Sequence, residues 1–133
     1  MTRMLPRLLY AASAAIFAFG SFAHAAVFFL KAGAGIGASN LSPLLQSELK
    51  GLWLCDSTTL AALAAVFFYL AARPQAANRT LVILVALVPA GTTLVLYVFM
   101  GAFYAAHMLL AATAMAITAN LLGPARELSA EPA

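Results

Sequence analysis

Charged residues punctuate this chain at long intervals, and the segments between them are almost wholly apolar. After Arg3 and Arg7 the first uncharged run covers residues 8–30 and closes at Lys31. A second run, 51–72, lies between Lys50 and Arg73 and holds one acidic residue, Asp56. The third stretch, 80–124, has no charge and is too long for one crossing, because a helix spans a bilayer with about 20 apolar residues. It therefore divides into a hairpin. Gly101 is the natural break, giving spans over 81–100 and 103–122 joined by a very short turn. Tyr97 and Tyr104 flank that turn, as aromatic residues do at a membrane interface. The pattern predicts an all-α, polytopic membrane protein, a four-transmembrane-helix bundle forming a single integral membrane domain. An outer loop over 31–50 and a flexible tail over 123–133 complete it.

Composition removes the soluble alternatives. Of 133 residues, 65% are apolar and 8% charged, whereas a soluble domain is about a quarter charged. Four spans leave no room for a soluble catalytic or nucleic-acid-binding domain, so any chemistry lies between the helices or at their mouths. Charge adds orientation. Arg3, Arg7, Arg73, Arg79 and Arg126 fall on one side, and only Lys31 and Lys50 on the other. Loops rich in Lys and Arg stay inside, so both termini are expected to be cytoplasmic in a bacterial-type inner membrane. The net charge of +3 comes from these scattered span-end residues, which form no basic stripe and point to no nucleic-acid partner. Ala23-His24-Ala25 imitates a secretory cleavage site, but the apolar run continues to Leu30, longer than a signal core needs, which favours a retained first span.

Within the loop, Gly33, Gly35 and Gly37 suggest a dinucleotide site only superficially, since that motif needs a preceding strand; they are expected to form a flexible exit turn. Ser42-Pro43 reads as a helix cap followed by proline at the first helical position. The short helix that starts there is expected to lie along the membrane surface and to turn inward near Gly51. Asn40-Leu41-Ser42 and Asn78-Arg79-Thr80 match the glycosylation pattern by chance, because the second falls on the cytoplasmic side. Pro89 sits in the middle of the third span, where it removes a backbone donor and should bend the helix. Cys55 is the only cysteine, so there is neither an internal disulfide nor a cysteine metal cluster; it reads as a small packing residue.

The ionisable residues inside the spans carry the candidate chemistry, because burying one in lipid costs about 2.5 to 3.5 kcal/mol near the centre. There are three: His24, Asp56 and His107. At about 1.5 Å per residue they share a depth roughly 6 to 9 Å below the outer boundary. Trp53, Ser57 and Thr59 accompany Asp56 on its helix, and Tyr104 lies one turn before His107. Tyr104, His107, Ala111, Ala114 and Thr118 follow helical spacing and are expected to pack on a neighbour. Ala112, Ala116 and Asn120 form a second, small-residue seam for close helix approach or oligomerisation.

Two imidazoles and a carboxylate can hold a transition metal if they converge, and a histidine pair can ligate haem from both faces. The same residues can relay a proton, or Asp56 can simply tie the helices together through a histidine. No nucleophile motif such as G-x-S-x-G is present. The first functional reading is a non-enzymatic accessory subunit or ligand-binding bundle of a membrane complex. Its partners are the lipid bilayer and either other membrane subunits or a second copy. The alternatives are a small proton-coupled transporter using Asp56 and a metal-dependent enzyme acting on a lipid or quinone.

Overall fold

The computed structural model describes residues 4–123. Four of its helices are long and apolar enough to cross a membrane. The first is α1, Met4–Val27, which continues through a π-helical turn, Phe28–Ala32, into α2, Gly33–Gly37. The exit turn expected at the three glycines is therefore helical instead. Gly33 explains how: a Cβ there would lie 3.1 Å from the Phe28 carbonyl oxygen and 3.3 Å from its ring, so glycine lets the wide turn close and the rod continue. The chain turns only after Gly37. There Ser39 Oγ donates to the Ile36 carbonyl at 2.6 Å, and Gln46 Nε2 donates to the Ser39 and Leu41 carbonyls at 3.2 and 3.1 Å.

Helix α3, Pro43–Ala72, starts as the sequence indicates, with Ser42 Oγ accepting from the Leu45 amide at 3.3 Å and Pro43 in the first turn. It runs unbroken for 30 residues. The inward bend expected near Gly51 is absent, because one glycine inside a helix of strong formers weakens it without breaking it. A short 3₁₀ turn, Pro74–Ala76, leads to α4, Arg79–Met100, whose N-terminus is capped by the Asn78 side chain accepting from the Leu81 amide at 3.2 Å. Helix α4 passes through Pro89, which is buried. Gly101 then reverses the chain with φ 70°, a conformation that favours glycine, and α5 follows at Tyr104–Leu122. The tight hairpin is thus where the sequence puts it.

Helix α1 packs between α3 and α5, and α4 packs on α5. Three contacts at chain ends fix the antiparallel arrangement: Arg7 Nη2 donates to the Ala72 carbonyl at 3.2 Å, Asn120 Nδ2 to the Arg79 carbonyl at 3.0 Å, and Arg79 Nη2 to the Leu121 carbonyl at 3.4 Å. Arg7, Arg73 and Arg79 thereby gather at one end of the bundle and Lys31 and Lys50 at the other. Arg3, Arg126 and the tail beyond Gly123 lie outside the described residues.

The core fills the arginine end. The Phe67 ring stacks between Tyr10 and Phe17, with centroids 6.2 and 5.6 Å away, and Leu63, Leu70 and Val82 close around it. The seam of Ala112, Ala116 and Asn120 is buried, as its spacing implies. Because Ala112 has no bulk, α1 comes near enough for Ser13 Oγ to donate to the Ala112 carbonyl at 2.9 Å. The other α5 stripe behaves differently. Tyr104, His107, Ala111, Ala114 and Thr118 are all exposed rather than buried against a neighbouring helix, although His107 still reaches Tyr97 of α4. Cys55 is likewise exposed and not a packing residue; apolar surroundings in lipid leave its small side chain no reason to turn inward.

Candidate functional site: a polar-walled cavity at the lysine end

Beyond Leu60, α1 and α3 stay in contact while space opens beside them. Between the second half of α1, the first half of α3, the end of α4 and the start of α5 lies a cavity of 310 Å³. Small side chains make it. Gly20 and Ala23 line it from α1, and a Cβ on Gly20 would already touch Leu60 Cδ1 at 3.6 Å. Most of the wall is apolar, contributed by Ile16, Leu60, Leu96 and Met108 among others. One side is polar, and it consists of His24 from α1 with Trp53 and Asp56 from α3.

This polar side is assembled by helical spacing. Trp53, Asp56, Ser57 and Leu60 recur at three- and four-residue steps, so they share one face of α3, and Ser21 and His24 share one face of α1. The two faces meet in a closed set of contacts. His24 Nε2 lies 3.6 Å from Asp56 Oδ2. His24 Nδ1 is hydrogen-bonded to Ser57 Oγ at 3.0 Å, and Ser57 Oγ donates to the Trp53 carbonyl at 3.3 Å. Trp53 Nε1 donates to the His24 carbonyl at 3.0 Å, while its ring stacks on the imidazole with centroids 4.6 Å apart and planes 16° from parallel. Ser21 Oγ donates to the Ser57 carbonyl at 2.7 Å. His24 is therefore fixed at Nδ1 and on one ring face, with Nε2 turned towards Asp56. The Asp56 side chain remains 42% exposed, and it opens into the cavity.

Of the three ionisable residues singled out in the sequence, the fold brings two together. His107 goes elsewhere: its Nδ1 is hydrogen-bonded to the Tyr97 hydroxyl, with ring centroids 5.5 Å apart, on the outward side of the α4–α5 hairpin. Among the described residues, no three His, Cys, Asp or Glu side chains converge so that they could hold a metal ion. Tyr104 lines the cavity, as do Trp53 and Asp56. Thr59 does not join the polar wall, because its hydroxyl donates to the Cys55 carbonyl at 2.9 Å on the exposed side of α3. Sequence reasoning missed Ser21 in the polar wall, and it read Tyr97 as an interface aromatic without its bond to His107. The signals were present: Ser21 is one turn before His24, and Tyr97 and His107 stand on opposite arms of the Gly101 turn.

Chemically, the arrangement offers an apolar volume with a carboxylate and an imidazole on one wall, and the Ser57 hydroxyl bonded to that imidazole belongs to a buried residue outside the cavity lining. Pockets of about 300 to 1,000 Å³, mostly apolar with a few fixed polar groups, suit small molecules. Comparison of the chain with protein-family models, with curated proteins and with solved structures finds no match in any of the three.

Proposed function

We propose that this chain is a non-enzymatic, ligand-binding membrane bundle that takes an amphipathic molecule into the cavity between its helices. It lies in a bacterial-type inner membrane with both termini cytoplasmic, and it acts beside other membrane subunits. The observation that carries the reading is the 310 Å³ cavity, apolar on most sides and bounded by the His24–Asp56 pair on one. An apolar body fits among Ile16, Leu96 and Met108, and a polar group fits against Asp56. The lopsided arginines, Arg7, Arg73 and Arg79 among them, support the orientation, which places the cavity in the outer leaflet.

Trp53 gives the test, because it is the only tryptophan and lines the cavity. In lipid nanodiscs, an undecyl alcohol tipped with bromine should quench Trp53 fluorescence saturably in the native chain. Ala23→Phe, which fills the cavity from α1, should reduce the quenching to that of bulk lipid. Equal, non-saturating quenching in both proteins would reject the reading.

A further inference from the structure

We propose that the cavity selects lipophilic cations, amines carried as ammonium on an apolar body, with Asp56 as their counter-charge. This deepens the ligand-binding reading and rests on it. Three observations lead there independently of the volume itself.

The first is charge. Of the residues that line the cavity, Asp56 is the one carboxylate, and no Lys or Arg contributes. An uncompensated carboxylate at membrane depth is costly, and such groups pair with opposite charge. The second is the state of its neighbour. The described contacts give Asp56 one partner, His24 Nε2 at 3.6 Å, which is beyond hydrogen-bonding distance. The Ser57 hydroxyl has two acceptors in reach, the Trp53 carbonyl at 3.3 Å and His24 Nδ1 at 3.0 Å; in the tautomer where it bonds the carbonyl, Nδ1–H donates to Ser57 Oγ. In neutral imidazole that leaves Nε2 without a hydrogen. Two acceptors, Nε2 and Oδ2, then face the same space, and the group that satisfies both is a cationic donor with several N–H bonds. A carboxylate or phosphate would meet two acceptors and a like charge; an alcohol would satisfy one acceptor and leave the charge uncompensated.

The third is the aromatic lining. Phe19, Trp53, Phe103 and Tyr104 border the cavity, and aromatic rings attract cations within about 6 Å, more strongly when desolvated. The same rings and the apolar wall accept the body of the molecule, so head and tail are served by one volume.

The test compares bromine-tipped undecyl chains ending in an ammonium, a hydroxyl or a carboxylate, each titrated against Trp53 fluorescence in nanodiscs of zwitterionic lipid. Wild type, Asp56→Asn and Asp56→Glu are compared in the same lipid, which cancels partitioning of the probes. In the wild type the ammonium should bind at least about tenfold more tightly than the alcohol, and the carboxylate most weakly. Asp56→Asn should bring the ammonium down to the alcohol measured in the same variant, whereas Asp56→Glu should keep the preference. An ammonium that binds no better than the alcohol, or a preference that survives Asp56→Asn, overturns cation selectivity while leaving the ligand-binding reading intact. Tightest binding by the carboxylate overturns it equally. Saturable quenching by none of the probes removes the ligand-binding reading itself.

Discussion

The two ends of this bundle are built from the same four helices and differ in what their facing side chains do. At the arginine end, Tyr10, Phe17 and Phe67 stack through the middle, with Phe17 and Phe67 wholly buried, and the α1–α5 seam is tight enough for a side chain to bond a backbone carbonyl across it. At the lysine end, His24 follows Tyr10 and Phe17 at heptad spacing on α1, hydrogen bonds join the ring stacking, Gly20 and Ala23 beside it carry little bulk, and a cavity opens. Lipid tails are as apolar as leucine, so no hydrophobic force pulls helices together within the membrane, and close packing has to come from shape and hydrogen bonds. The arginine end supplies both and holds the fold; the lysine end is freed from that task and can hold something else.

Substitutions can break the contrast at its strongest point first. Phe67→Ala empties the stacked centre of the closed end and should destabilise the bundle by about 2 to 3 kcal/mol, the cavity share of a core phenylalanine's worth. Unfolding in mixed micelles would register it. Ala112→Leu forces α1 and α5 apart, breaks the Ser13 bond and should cost about 1 to 3 kcal/mol, read as a lowered melting temperature. Asn120→Ala removes the bond to the Arg79 carbonyl and should cost about 0.6 to 1.7 kcal/mol, the range for membrane hydrogen bonds. Leu96→Ala only enlarges a cavity that already exists, so its effect on unfolding should stay under about 1 kcal/mol. Asp56→Asn keeps the side chain's shape and loses only the 3.6 Å contact with His24, so it should change stability by under about 1 kcal/mol. If Leu96→Ala or Asp56→Asn proved as damaging as Phe67→Ala, the division between a packed end and a binding end would fail.

Much of this architecture was legible in the residues. Runs between charges mark the spans, Ser42-Pro43 marks the start of α3, and Gly101 marks the hairpin because a near-continuous apolar stretch needs one tight turn. The steps from Trp53 to Leu60 marked the polar face of α3. What spacing leaves undecided is which face meets which helix. That depends on the packing order, with α1 between α3 and α5, and it decides that His24 reaches Asp56 while His107 stays on the far side of α5 with Tyr97. Shared depth in the membrane is a necessary condition for convergence, and azimuth around the bundle is the second. The continuation through Gly33 also lay beyond pattern reading, since three glycines signal a turn locally and only the contact with Phe28 shows why they carry a helix.

The central claim is that the open end is a ligand site, and the position of a bound molecule tests it most directly. Crystals grown with bromine-tipped undecylammonium would locate the bromine by its anomalous scattering. The account predicts one strong peak inside the cavity, among Ile16, Leu96 and Met108, with the ammonium against Asp56. A cavity closed by rearranged side chains, with bromine only on the lipid-facing surface, would contradict it.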